Sequence, residues 1–260
     1  MHIENNTLKY IMVIYCKYGV QNHTINPFTI MIPKIIHYCW FGNTPQGELI
    51  EQCIQSWKIQ CPDYTIIMWN EHSFDVESHP FTSRMYKEKK YAFVADYVRL
   101  IALLRDGGIY LDTDMLLVQP LDDLLDTTLL LGKESDEFIS CGMIGATPNH
   151  PFIEAMRAKY DDMKELRPNP VIMTELYNTM NQPNTKIMPP HAFYPYDADH
   201  IKNYTGQNLG KEVYGVHLWN YSWGHPLNKL FKKTGVHRIG KKTAEVLGIK
   251  KVLKKLFGFV

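Results

Sequence analysis

Gly107-Gly108-Ile109-Tyr110-Leu111-Asp112-Thr113-Asp114 is the stretch from which the rest of the chain is read. The paired glycines end a helix, because glycine readily takes the left-handed conformation of a helix C-terminus. Ile109, Tyr110 and Leu111 then make a short buried strand, and two carboxylates follow at once. Side chains two apart on extended chain point the same way. Asp112 and Asp114 therefore leave the C-terminal mouth of a strand together, where ligands bind in open α/β sheets. Two close carboxylates repel, and a divalent cation relieves the repulsion. Mg²⁺ or Mn²⁺ takes oxygen ligands and commonly shares a few carboxylates with a diphosphate. There it neutralises charge on a departing phosphate. A bare Asp-X-Asp also occurs as a pair of solvated turn residues, so its surroundings carry the reading.

Immediately upstream, residues 86–105 show apolar Phe93, Val94, Tyr97, Val98, Ile101 and Leu104 at helical spacing. Asp96 and Arg99 share one face of that helix within an otherwise apolar run. They read equally as an ion pair at the core rim or as a carboxylate and guanidinium aimed at sugar hydroxyls. Further back, Ile32 to Tyr38 is rich in β-branched and aromatic residues, a strand pattern. Residues 47–59 repeat Leu49, Ile50, Cys53, Ile54 and Trp57 as a helix does, and Tyr64–Trp69 is a second strand. Strand, helix, strand begins a βαβ arrangement. His37 reads as a core histidine. Trp40 reads as a core aromatic or as a surface on which a nucleotide base stacks.

Downstream, Met115–Val118 continues extended. Phe138–Ala146 is a strand, Pro151–Lys164 a helix and 171–181 a further helix. Residues 187–224, rich in aromatics, proline and histidine, read as an irregular wall. They contain His217-Leu218-Trp219-Asn220-Tyr221-Ser222-Trp223. Its histidine and serine can ligate a metal, and its indoles can donate to phosphate; an aromatic loop that merely packs has the same composition.

The net charge of +1 conceals an uneven distribution. After Asn228, ten lysines and arginines face the single acid Glu245, which leaves an acidic body. Apolar Val246, Leu247, Ile249, Val252, Leu253, Leu256, Phe257 and Phe259 interleave with lysines there, the pattern of a helix on an anionic membrane surface. The acidic body argues against nucleic acid as a partner. The five cysteines are odd in number and form no CxxC pair, so a disulfide framework or zinc knuckle is not expected. No run approaches the roughly 18 apolar residues of a spanning helix. Residues 1–30 lack periodicity and read as an extension before a start at Met31.

Together these motifs resemble the family 32 glycosyltransferases, distant relatives of the catalytic domain of the large glucosylating toxins. The marks are Ile32-Pro33-Lys34-Ile35-Ile36-His37 with Trp40, Ala95-Asp96 with Arg99, the glycine-to-Asp114 stretch, His217-x-Trp219 and Ser222-Trp223. They run in order over most of the chain. Two departures are visible: Asn169-Pro170 stands where relatives often have Gly-Pro, and Ser222 and Trp223 are adjacent where the toxins space them by one.

The resemblance implies an α/β GT-A fold, a Rossmann-like mixed sheet flanked by helices. That domain would span 31–228, with a basic helical tail over 229–260. It also implies Mn²⁺ or Mg²⁺, a UDP- or GDP-sugar donor and retention at the anomeric carbon. Trp40 would stack on the base. Asp96, Arg99, Tyr110 and Asp112 would contact ribose and donor sugar. Asp114 would hold the metal, with Asp112 and His217 beside it, and Ser222 and Trp223 would close over the diphosphate. The expected acceptor is a glycan, in particular a lipid-linked oligosaccharide of surface polysaccharide, capsule or lipopolysaccharide synthesis. The expected place is the cytoplasmic face of a membrane. A module that binds nucleotide sugar or membrane without catalysis is the alternative, which the intact set of Asp96, Arg99, Asp112 and Asp114 argues against.

Overall fold

The computed structural model describes residues 31–206 and 209–220. The extension 1–30, the tail 229–260, Ser222 and Trp223 lie outside the described residues. A six-stranded mixed sheet forms the centre, in the order β2-β1-β3-β6-β5-β7. The strands are β1 (Ile35–Cys39), β2 (Thr65–Trp69), β3 (Gly108–Leu111), β5 (Leu129–Lys133), β6 (Ile139–Ala146) and β7 (Thr185–Met188). Strand β1 pairs in parallel with β2 and β3, β5 pairs in parallel with β7, and β6 runs antiparallel to both β3 and β5. A separate ribbon pairs β4 (Met115–Leu117) with β8 (Gly215–His217). The helices are α1 (Glu48–Gln60), α2 (Pro80–Lys87), α3 (Tyr91–Asp106), α4 (Pro151–Ala158), α5 (Asn169–Thr179) and the short α6 (Pro190–Phe193).

Strand alternation divides the core in two. Tyr110, Leu129, Leu131 and Ile144 face Val98, Leu103, Phe152 and Met173 from α3, α4 and α5. Ile109, Leu111, Leu130 and Met143 face Trp57 of α1, Met115 of β4 and Phe193 of α6. Both faces of the central strands are thus covered, as near-continuous apolar strands require. The Trp57 indole also donates to the Met115 carbonyl at 2.6 Å, fixing β4 to α1.

The double glycine is a steric necessity. Gly107 caps α3 with φ +65°, and Gly108 begins β3 with φ +98°. A Cβ on Gly108 would lie 2.6 Å from the Ile35 carbonyl, and one on Gly107 would lie 2.6 Å from the Pro148 ring. His37, 0% exposed, ties the same corner from β1: one ring nitrogen meets the Gly107 carbonyl at 2.8 Å and the other accepts from the Trp69 indole at 3.1 Å. It is the core histidine the sequence suggests.

Several boundaries differ from the sequence reading. The helix expected over 86–105 is two helices, broken where Lys89 takes φ +56°. Glu88, Lys89 and Lys90 offer no apolar side chain to the core, and the apolar stripe restarts at Tyr91. The helix from Pro151 ends at Ala158 rather than Lys164, and Tyr160, 1% exposed, turns inward just beyond it. The following helix starts at Asn169 with Pro170 in its first turn, where a missing N–H is harmless. Strand β5 has no counterpart in the sequence reading, because Leu129-Leu130-Leu131 carries no alternation. The wall over 187–224 contains α6 and β8.

Candidate active site

Strands β1, β3, β5 and β7 end at one edge of the sheet, where antiparallel β6 begins. A cavity of about 530 Å³ opens there, lined among others by Asp96, Arg99, Tyr110, Asp112, Asp114, Glu134, Tyr194, His217 and Trp219. The sequence separates Asp114 from His217 by about a hundred residues. The β4–β8 ribbon removes that distance by placing His217 opposite Met115. His217 Nε2 then lies 3.2 Å from Asp114 Oδ1 and 4.0 Å from Asp112 Oδ2. The loop after β8 closes on the same carboxylate. The Asn220 N–H donates to Asp114 Oδ2 at 2.7 Å, and the Leu218 N–H donates to the Asp114 carbonyl at 2.9 Å.

One ligand atom from each of Asp112, Asp114 and His217 falls within 4.8 Å of the others. Two carboxylate oxygens and an imidazole nitrogen form a donor set suited to a divalent ion such as Mn²⁺. His217 is 9% exposed, and its Nδ1 has no hydrogen-bond partner among the described residues. Burial disfavours its charged form, yet Asp114 and Asp112 reverse this and raise its pKa above the ordinary value. Burial likewise opposes the charge on Asp114, and His217 with the Asn220 N–H nonetheless holds that carboxyl below its usual range. A divalent cation bound here would displace the imidazolium proton and take over its neutralising role beside the two carboxylates.

The helix α3 supplies the neighbouring wall. Arg99, 6% exposed, donates to Asp96 Oδ1 at 2.7 Å and to the Cys141 carbonyl at 2.5 Å, and approaches Asp112 Oδ1 at 3.5 Å. Its guanidinium lies 4.4 Å from the Tyr110 ring centroid, a cation–π contact. Burial pushes the Asp96 carboxyl up to about 6, against the pull of Arg99. The Tyr110 hydroxyl donates to Asp112 Oδ1 at 2.9 Å. The ion-pair and the ligand-facing readings of Asp96 and Arg99 are therefore compatible: the two are paired, and both line the cavity.

Three features of the site have no mark in the sequence reading. Gly142 on β6 accepts the Asp112 N–H on its carbonyl at 2.8 Å. A Cβ there would stand 2.7 Å from the Tyr194 hydroxyl and 2.8 Å from Asp112 Oδ2, so only glycine leaves room for both. Tyr194 comes from beyond α6 and bonds Ser140. Glu134 follows β5 in a stretch of charged and small polar residues that resembles any solvated turn. Trp219 takes φ +51°, rare for a bulky residue, and packs edge-on against His217 at 4.5 Å. Trp40 is half-buried at the end of β1, donates to the Thr44 carbonyl at 2.6 Å, and is not among the residues lining the cavity.

The fold and site define an α/β domain with a cation-competent carboxylate–imidazole cluster beside a buried Asp–Arg pair. Residues 47–131 match the model of the glycosyltransferase sugar-binding region containing the DXD motif. Residues 148–242 match that of the alpha 1,4-glycosyltransferase conserved region. An inositol phosphoceramide mannosyltransferase of Schizosaccharomyces pombe is 34% identical over 143 residues, 52% of this chain and 39% of that protein. A mannosyl phosphorylinositol ceramide synthase of Saccharomyces cerevisiae is 32% identical over 130 residues, 47% of this chain and 33% of that protein. The chain thus spans well under half the length of these two relatives. An uncharacterized glycosyltransferase of Acanthamoeba polyphaga mimivirus is 28% identical over 213 residues, 76% of this chain and 74% of its own. Among solved structures, the PaToxG glycosyltransferase aligns with TM-score 0.46 at 20% identity, over 56% of this chain and 68% of its own. The apo glycosyltransferase GlyE of Streptococcus pneumoniae aligns with TM-score 0.46 at 13% identity, over 78% of this chain and 60% of its own.

Proposed function

We propose that this chain is a metal-dependent, retaining glycosyltransferase of GT-A type that moves a sugar from a nucleotide-sugar donor to a hydroxyl of a glycan or lipid-linked acceptor. The observation that carries the reading is the convergence of Asp112, Asp114 and His217 within 4.8 Å at the mouth of a cavity whose next wall is Asp96 and Arg99. The matched sugar-binding region contains Asp96, Arg99, Asp112 and Asp114. When bound, a divalent cation supplies Lewis-acid neutralisation of the leaving diphosphate. Asp112, Asp114 and His217 would hold it. Arg99 holds Asp96 and Asp112 in place while Asp96 accepts hydrogen bonds from the sugar. Trp40 borders the base, and Ser222 with Trp223 covers the diphosphate.

The names of the fungal relatives favour a mannosyl donor and a sphingolipid-type acceptor over a capsule or lipopolysaccharide glycan. The catalytic domain is 31–228, and the lysine-rich tail 229–260 holds it to an anionic membrane surface. Among the described residues, no helix is long and apolar enough to cross a membrane.

The purified chain is incubated with Mn²⁺ and a panel of GDP- and UDP-sugars beside Asp114→Ala, and released nucleoside diphosphate is measured. Donor-selective release that needs metal and vanishes in the variant is expected. If no donor is turned over and none binds with or without metal, the transferase reading falls.

A further inference from the structure

Glu134 is a half-buried carboxyl in the same cavity as Asp112 and His217. The other cavity acids have partners: Asp96 holds Arg99, Asp112 takes the Tyr110 hydroxyl, and Asp114 takes His217 and the Asn220 N–H. Glu134 has no hydrogen bond or ion pair to its carboxyl among the described residues, and burial raises its pKa. Its position is nevertheless fixed. The β5–β6 pairing slips between Leu131 and Lys133, and such a bulge re-aims the side chains that follow. Beyond it, the Glu134 N–H donates to the Phe138 carbonyl at 3.0 Å and closes the hairpin. A carboxyl on a backbone fixed this way, facing a cavity with no hydrogen-bond partner among the described residues, is available to hydrogen-bond donors from a ligand.

The sheet order indicates which part of the ligand supplies them. Strand β5 lies two places from β3, on the side away from β1 and β2. Neighbouring strands are about 4.8 Å apart, so β5, which leads into Glu134, lies roughly 10 Å along the edge from β3, which leads into Asp112. Glu134 is thus outside the cation-competent set yet in the same cavity, near enough for the charges of His217 and Asp112 to act on it. A phosphate offers only acceptors and negative charge there, and a carboxylate repels it; a sugar offers hydroxyl donors.

We infer that Glu134 binds hydroxyls of the transferred sugar and sets which sugar the site accepts. This rests on the transferase reading. The test titrates GDP- and UDP-sugars, and GDP and UDP alone, into the full chain with Mn²⁺ by calorimetry. The proteins are wild type, Glu134→Gln, Glu134→Ala and Glu137→Gln, the last an exposed acid of the same loop as control. Wild type is expected to bind one sugar nucleotide more tightly than its own diphosphate. Glu134→Gln should erode that advantage about tenfold or more, the value of a hydrogen bond to a charged acceptor. Glu134→Ala should erode it at least as far, with diphosphate affinity and melting temperature unchanged and Glu137→Gln like wild type. An advantage retained in both Glu134 variants overturns the assignment, even if transfer to an acceptor slows, since that outcome places Glu134 on the acceptor. Equal loss for the diphosphates, or a wild type with no advantage, overturns it too. A wild type that binds no nucleotide refutes the transferase reading and this inference with it.

Discussion

Replacing Arg99 by methionine keeps most of the side-chain volume and removes the charge that organises the cavity wall. Arg99 is 6% exposed, donates to Asp96 at 2.7 Å and to the Cys141 carbonyl at 2.5 Å, and stands over Tyr110 at 4.4 Å. Removing one partner of a buried pair typically costs about 3–5 kcal/mol, because the other charge is left uncompensated. The cost should depend on pH. Burial already raises the folded-state Asp96 carboxyl from 3.8 to about 6, and loss of Arg99 raises it further. An acid with a raised folded pKa binds its proton more tightly in the native state. Its contribution is therefore favourable at low pH and is lost as pH rises through that pKa. The defect in Arg99→Met should be near the full 3–5 kcal/mol at pH 8 and clearly smaller at pH 5, where the carboxyl neutralises instead. Adding Asp96→Asn should recover part of the pH 8 loss. Urea unfolding at the two pH values measures all of this. A pH-independent loss below about 1 kcal/mol would mean the pair is solvated as a surface ion pair is, and the reading of this wall would be wrong.

Gly108→Ala forces a side chain to φ +98° and into the Ile35 carbonyl, and should cost more than about 1 kcal/mol in urea unfolding; a neutral change would refute the close packing of β3 on β1. Gly142→Ala meets the Tyr194 hydroxyl and Asp112 Oδ2, so it should cut metal-dependent diphosphate release at least tenfold while leaving most of the molecule folded by circular dichroism. Unchanged release would show that Asp112 has room to move. His37 and His150 are buried with pKa values pushed below 6.5 by burial, so the unfolded chain binds their protons more readily. Stability from these two should be complete above pH 6.5 and fall as pH drops below it, and His37→Asn, though less stable, should show a shallower decline.

The Asp112-Thr113-Asp114 stretch was legible from sequence because its constraints are local. Glycines that only a left-handed turn explains, a strand too apolar to be exposed and two carboxylates just beyond it all sit within eight residues; the extended parity expected for the carboxylates is not what joins them, because Thr113 and Asp114 form a turn closed by the Met115 N–H on the Asp112 carbonyl at 2.9 Å. The Asp96 and Arg99 pair was legible for the same reason, since helical spacing puts them on one face. His217 could be suspected and not placed. Its position depends on β8 pairing with β4, a contact between segments about a hundred residues apart that leaves no periodic mark in either. Gly142, Tyr194 and Glu134 were invisible. A glycine in a strand, a tyrosine after a proline-rich turn and a glutamate in a charged hairpin are each ordinary in sequence. Strand order brings Gly142 and Glu134 to the edge where β3 ends, and the chain leaving α6 brings Tyr194 there. The sequence by itself determined which residues bear charge and, at the glycine corner, β3 and the helix face of Asp96 and Arg99, which local conformations they occupy, because those follow from sterics and spacing within a few residues. Only the tertiary structure decided which of them share a cavity, because hydrogen-bonded strand pairing and two-sided burial of the sheet are properties of distant segments meeting.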